Sequence, residues 1–251
     1  MNRYFFEISY CGTVYHGWQR QNGQISVQQC IEERLSKFIP QNNIKIIGCG
    51  RTDTGVHAKN YFFHLDTDNK LPQHTLFKIN SLLPSDIAVH DIFEVDKNNH
   101  ARFDATARTY RYYLHQKKDA FINKTSLYYK SKLDFDLMQK AADLLIGKND
   151  FTSFAKLHAD NKTNTCVVSH VKWNQTDNQF YFEITADRFL RNMVRAITGT
   201  LLDVGIKKTS LSEFKEIIKS ENRGNAGASI DARGLFLWEI KYPFELKSAD
   251  L

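Results

Sequence analysis

An α+β architecture built on mainly antiparallel sheets is predicted for this chain. Three observations predict it. Short apolar-alternating segments interchange with amphipathic helical ones. The order β-α-β-β-α-β occurs once in each half of the chain. Thr176-Asp177-Asn178 marks a tight hairpin between two alternating runs. Two such halves suggest two ferredoxin-like sheets, each with helices on one face, joined into a larger sheet with an active-site cleft between them. The expected division lies at Thr106: residues 1–106 form an N-terminal α+β half, residues 107–251 a C-terminal one. The two halves share order but not sequence.

In the first half, Tyr4–Tyr10 alternates as a strand. Ser26–Ile39 reads as a helix with Val27, Ile31, Leu35 and Phe38 on one face. Ser26 and Gln29 supply a capping box, and Pro40 a stop. Ile44–Ile47 and Tyr61–Leu65 read as strands, Gln73–Leu82 as a helix and Ile87–Val95 as a strand. In the second half, Thr109–His115 is a tyrosine-rich strand. Asp136–Leu145 is a helix capped by Asp134, with Gly147 beyond its end. His170–Trp173 and Phe180–Thr185 form the hairpin. A long helix is expected from Phe189 to about Val204, closed by Gly205. Ser210 and Glu213 cap a helix carrying Leu211, Phe214, Ile217 and Ile218, and Leu235–Tyr242 is the last strand.

The chain has 251 residues, enough to bury a sizeable core. A hydrophobic fraction of 42% with 25% charged residues is that of an ordinary globular protein. Net charge is +6 and the pI about 9.0, a mild excess that suits an anionic partner such as nucleic acid. Cys11, Cys30, Cys49 and Cys166 form no CxxC pair, which argues against a disulfide framework or zinc site and for reduced thiols. MNRYFFEISYCG holds no long apolar run, and no segment reaches membrane-spanning length. The expectation is a cytoplasmic protein with no membrane association.

Three clusters carry possible chemistry. In GCGRTDTGVHA, Gly48–Ala58, Asp53 sits in a glycine-bracketed turn two residues after Arg51. Such an aspartate suits a nucleophile, a base or a metal ligand, although Asp, Thr and Gly are also plain turn residues. In ARFDATARTYRYYL, Arg102, Arg108 and Arg111 alternate with Phe103, Tyr110, Tyr112 and Tyr113, a composition that suits RNA phosphates and unpaired bases. For Tyr112 and Tyr113 a core position is favoured. In DRFLRNMVRAITG, Arg188, Arg191 and Arg195 would share one helical face, with Phe189, Met193 and Ile197 on a buried stripe. Arginines without lysines favour anion recognition. His57, His64 and Asp66 lack metal-ligand spacing, Ser153 and Ser169 lack a nucleophile elbow, and no glycine-rich nucleotide-binding loop occurs, so no metal and no nucleotide cofactor is expected.

YCGTVYHGWQRQ with the following SVQ, GRTDTGVHA, HARFDATARTYRYYL, NDFTSF, FLRNMVR and GLFLWEIKYP occur in this order over nearly the whole chain. Together they closely resemble the TruA family of tRNA pseudouridine synthases. The resemblance implies a cofactor-free homodimer that isomerises uridine to pseudouridine in the anticodon stem-loop of tRNA. It implies that Asp53 is the catalytic aspartate and Arg51 the arginine that assists nucleotide flipping. Tyr110 would pack on the uracil, Arg195 would pair with the catalytic carboxylate, and Leu235 would line the base pocket. Arg102, Arg108, Arg111, Arg188 and Arg191 are further candidates for tRNA contact. Cys49 and Thr54 stand where small residues such as alanine are common, and Asp231 near a frequent proline.

The chemistry fits a carboxylate without a redox cofactor, because the reaction gains no atoms. Attack at C1′, attack at C6 and help in removing a sugar proton all remain open routes. A passive RNA-binding module is the first alternative, since fold alone does not fix function. A metal-dependent hydrolase using Asp53 with His57 is the second.

Overall fold

A computed structural model describes residues 1–156 and 162–249. Ten strands and five α-helices occur among them, in the mixed α+β class that the pattern predicts. The chain clusters into two compact units, Met1–Thr106 with Leu237–Leu251, and Ala107–Phe236.

The first unit runs β1 (Asn2–Tyr10), α1 (Val27–Leu35), β2 (Ile46–Gly48), β3 (His57–Thr67), α2 (Thr75–Leu82) and β4 (Ile87–Val95). β1 lies antiparallel between β3 and β4, and β2 adds to β3 with Gly48 opposite Phe63. Phe6 pairs with Phe63 across β1 and β3, their rings stacked at 4.7 Å. Tyr4, Phe5 and Phe6 are all buried, so both faces of β1 are covered there. Helix α1 ends at Leu35, short of Pro40. Beyond it, Lys37 and Phe38 donate to Arg34 and Leu35, which tightens the chain into turns. Only half of the expected capping box forms: Ser26 Oγ accepts from Gln29 N, while the Gln29 side chain donates to Glu33. The C-terminal segment packs on this unit. Tyr242 donates its hydroxyl to Ala101 O, and its ring meets Phe5 and Phe62 edge-on.

An ionic knot closes one end of this sheet. Arg3 grips Asp66 through two bonds of 2.6 and 2.7 Å and donates to Asn99 O. His64 is buried beside it at 1% exposure, its Nδ1 accepting from Ala101 N and its ring edge-on to His100. Burial first, then the charge of Arg3, pushes the His64 pKa down to about 4 from 6.5; His100 is lowered by the same two causes, and Asp66 and Asp104 only partly offset them. Protonating Nδ1 would set two donors against each other, so the folded state binds this proton poorly. The stabilisation is therefore fully present above pH 6.5 and lost as pH falls toward 4, roughly 3 kcal/mol in all. Asp66, held low by Arg3, adds its loss only below the ordinary carboxylate range. His64→Gln is expected to flatten the stability profile between pH 6.5 and 4, read by urea unfolding. An unaltered slope in the variant would show that another group sets it.

The second unit holds β5 (Ala107–His115), β6 (Leu127–Tyr128), α3 (Phe135–Asp143), β7 (Gly147–Asp150), β8 (Thr165–Gln175), β9 (Phe180–Ala186), α4 (Met193–Gly205) and α5 (Leu211–Lys219). Strand β10 (Leu235–Lys241) begins in this unit and ends in the other. Antiparallel pairing runs β5-β9-β8-β7, and β6 pairs parallel with β5. The hairpin forms as expected, closed by Thr176 N donating to Gln179 O. Strands β6 and β7 carry no sequence signal: β6 has two residues, and Gly-Lys-Asn-Asp lacks any apolar alternation. Phe214, Ile217 and Ile218 bury one face of α5 behind a complete Ser210–Glu213 capping box.

Helix α4 corrects an expectation. It starts at Met193 rather than Phe189, because Asn192 takes a left-handed φ of 69° that no α-helix continues. Arg188 and Arg191 precede the helix, so the three arginines do not share a helical face. Met193 and Ile197 are buried on α4, while Phe189 stands half-buried outside it.

Candidate active site

Asp53 lies in the loop that joins β2 to β3, opening a turn in which Val56 N donates to Asp53 O at 3.1 Å. Gly55 takes φ 77° in the third position of that turn, where a type II geometry demands glycine. Gly48 serves differently. A Cβ there would stand 2.0 Å from Tyr61 Oη and 2.5 Å from Trp18 Nε1, whose rings stack at 4.2 Å. Gly50 meets neither constraint: its φ is not positive, and nothing lies within 4 Å of an added Cβ. Asp53 is half-buried, and Arg51 and Thr54 are exposed. Cys49 is fully buried with its N–H on Phe62 O, a position that a small side chain fills.

The loop is clamped by the segment Tyr10–Trp18. Trp18 N donates to Thr52 O at 3.3 Å, Gly55 N to Tyr15 O at 3.3 Å, and Gly12 N to His57 Nδ1 at 3.1 Å. Tyr10 Oη bonds Thr52 Oγ1 at 2.9 Å, and Tyr61 donates its hydroxyl to Gly50 O at 2.6 Å. Gly12 and Gly17 permit this approach. A Cβ on Gly12 would sit 1.9 Å from Val56 O, and one on Gly17, at φ 79°, 2.3 Å from Thr52 O. Sequence chemistry singled out Asp53 but not its clamp. The signal was there, in two glycines and three aromatics between Tyr10 and Trp18, yet nothing local says which loop they hold.

Tyr110, Arg195 and Leu235 fall in the second unit. Tyr110 is half-buried on β5, its ring edge-on to Phe189 at 5.0 Å. Arg195 lies on the first turn of α4 and donates Nε to Ile230 O at 2.7 Å. Leu235 is 5% exposed where β10 begins. Just before it, Asp231 caps a short 3-10 turn and chelates Arg233 through both carboxylate oxygens, which lowers its pKa. The φ of Asp231 is −53°, within proline's own range, so this departure leaves the backbone path intact. Tyr112 is fully buried and donates its hydroxyl to Asp231 O. Tyr113 is not core. It stands half-buried between the rings of Tyr181 and Phe236.

The remaining arginines differ in setting. Arg111 is bound to Glu183 at 2.5 Å and lies over the Tyr181 ring, and Glu183 also faces His170. Arg108 donates to Asp187 O. Arg188 is half-buried and Arg191 exposed. Arg102 is exposed beside Phe103, itself 74% exposed. Among the described residues no three His, Cys, Asp or Glu side chains group as a metal site would require, and no helix is long and apolar enough to cross a membrane.

Residues 141–243 match the profile of a family described as tRNA pseudouridine synthase. A protein of Bacteroides fragilis named tRNA pseudouridine synthase A is 46% identical over 249 residues, covering 98% of each chain. One of the same name from Porphyromonas gingivalis is 46% identical over 252 residues, covering 98% of this chain and 99% of its own. A third, from Bacillus pumilus, is 38% identical over 239 residues, at 94% and 97% coverage.

Proposed function

This chain belongs to the tRNA pseudouridine synthase A family, isomerases that convert uridine in tRNA to pseudouridine, and on that premise we propose that its substrate uridines lie in the anticodon stem-loop and that Asp53 is the carboxylate on which the reaction depends. The observation that supports this role is the clamp. Bonds from Tyr15, Trp18 and Tyr61 to the loop backbone, and from Tyr10 and Gly12 to the Thr52 and His57 side chains, hold the chain on both sides of one half-buried aspartate. A passive binding surface has no use for a loop so closely held, whereas a reacting group must be held within a fraction of an ångström.

The isomerisation breaks the N1–C1′ bond, turns the base and joins C5 to C1′. C5 then loses its proton and N1, freed from C1′, gains one, so atoms and electrons balance without a redox partner. A carboxylate serves by adding to the ring or sugar carbon, or by taking a sugar proton. The base must first leave its stack, which costs a few kcal/mol. Arg51, exposed on the same loop as Asp53, suits the role of filling the vacated space. Tyr110 offers a ring as a stacking platform and a hydroxyl for the departing C5 proton. Leu235 is proposed to supply an apolar wall to the base, and Arg195 to serve as an active-site arginine. Arg102, Arg108, Arg188 and Arg191 are proposed as phosphate contacts. Arg111 is the weakest candidate of this group, because Glu183 already holds it. A homodimer, a cytoplasmic location, action without a cofactor and a domain division at Thr106 complete the reading.

Purified protein incubated with unmodified tRNA transcripts is expected to form pseudouridine in the anticodon arm alone, mapped by carbodiimide labelling and primer extension. Pseudouridine confined to another arm would reassign the substrate.

A further inference from the structure

The guanidinium of Arg195 is oriented from outside its own helix. Its Nε donates to Ile230 O at 2.7 Å, and Ile230 N donates back to Arg195 O at 3.2 Å. Ile230 ends the segment Ala226–Ile230, which is pressed onto α4. Gly227 N donates to Thr200 Oγ1 at 3.0 Å, and a Cβ on Gly199 would lie 1.9 Å from Ala228 O. What gives this segment its course is a second arginine. Arg223 donates Nη1 to Ala226 O and Gly227 O at 3.3 and 3.0 Å, and Nη2 to Ser229 Oγ at 2.9 Å. Ser229 Oγ also accepts from Asn192 Nδ2 at 2.6 Å.

Asn192 is the residue whose left-handed φ of 69° sets the start of α4, three positions before Arg195. Asparagine tolerates that conformation better than most residues, and strain of this kind persists only where surrounding bonds over-determine it. The Ser229 hydroxyl is such a bond. It ties the helix start at one end of the segment to Arg223 at the other, and both acceptor lone pairs are used.

We propose that Arg223, Ser229 and Asn192 form a clasp that positions Arg195 for the isomerisation. The clasp holds Ile230 O where it can accept the Arg195 Nε proton, and that bond settles the plane in which the remaining guanidinium N–H groups lie. These three are positioning residues. The proposal rests on the reading of Arg195 as an active-site arginine.

The test uses full-length Ser229→Ala and Ser229→Thr, each compared in kcat, in KM for tRNA, and in the exchange protection of the Arg195 Nε–H seen by NMR. Ser229→Ala is expected to lower kcat by about tenfold to a hundredfold, the range for a catalytic group displaced by about an ångström. KM is expected to stay within about twofold, and the Nε–H to lose its protection. Ser229→Thr, which keeps the hydroxyl, restores both. On an Arg195→Lys background, Ser229→Ala is expected to add no further loss, because the group it acts through is gone. Should Ser229→Ala fail to fold, Arg223→Lys serves instead: it keeps the charge but loses the fork that spans three acceptors. Retained Nε–H protection in the variant overturns the proposal, and so does a loss that multiplies on the Arg195→Lys background. Lost protection with full turnover in both Ser229→Ala and Arg195→Lys overturns it too, and locates the failure in the reading of Arg195 rather than in the clasp.

Discussion

Asp53→Asn is expected to lower pseudouridine formation by on the order of a thousandfold or more, with tRNA affinity changed by less than about threefold. The substitution is nearly isosteric. The bond from Val56 N to the Asp53 carbonyl survives it, as do the bonds that bind Thr52 and Gly55 to Trp18 and Tyr15. What disappears is the negative charge and the nucleophilic or basic oxygen pair. Each of the three routes open to the carboxylate needs one of these, so the loss does not depend on which route the protein follows. Single-turnover measurements at saturating enzyme separate the chemical step from binding. A variant that retains a tenth or more of the wild-type rate would remove Asp53 from the chemistry altogether. A variant that loses tRNA binding as well would point to a folding or contact role for the loop.

The second large effect is structural in origin. Gly17→Ala is expected to destabilise the first unit by about 3 kcal/mol and to abolish most activity. Two penalties combine. An alanine at φ 79° is strained by roughly 1–2 kcal/mol. Its methyl would also stand 2.3 Å from Thr52 O, a backbone atom with no rotamer to change, so the loop that carries Asp53 must move. Gly23 supplies the control. It has nearly the same φ, 74°, yet nothing lies within 4 Å of an added Cβ. Gly23→Ala should therefore carry the conformational penalty alone and leave activity near wild type. Urea unfolding of the two variants, with turnover measured on each, isolates the contact with Thr52. Equal destabilisation by both would show that the close approach contributes nothing.

Much of the fold was legible from residue pattern because its signals are local. β-Branched and aromatic residues fill much of Ile87–Val95, and the observed strand has those bounds. Ser210 and Glu213 announce a capping box three residues apart, and both of its bonds form. Strand β7 and the start of α4 were illegible for the opposite reason. Gly147–Asp150 is a strand only because β8 offers it a partner, and Asn192 takes a left-handed φ amid bonds that include the one it donates to a residue far along the chain, Ser229. Phe189-Leu190-Arg191 looks helical to any rule that reads spacing alone. Tyr113 misled in the same way, since its neighbours Tyr181 and Phe236 arrive from other parts of the sequence.

Residue order alone determined the fold class, the aspartate to examine and the family resemblance, because glycines, aromatics and charges at fixed spacings are properties of neighbours. Tertiary structure decided what holds the aspartate and what aims the arginine. Gly12 and Gly17 matter because Val56 O and Thr52 O come within reach of them, and Arg223 matters because Ser229 links it to Asn192. Steric exclusion and hydrogen bonding act over a few ångströms of space, and the chain brings those groups that close only once it has folded.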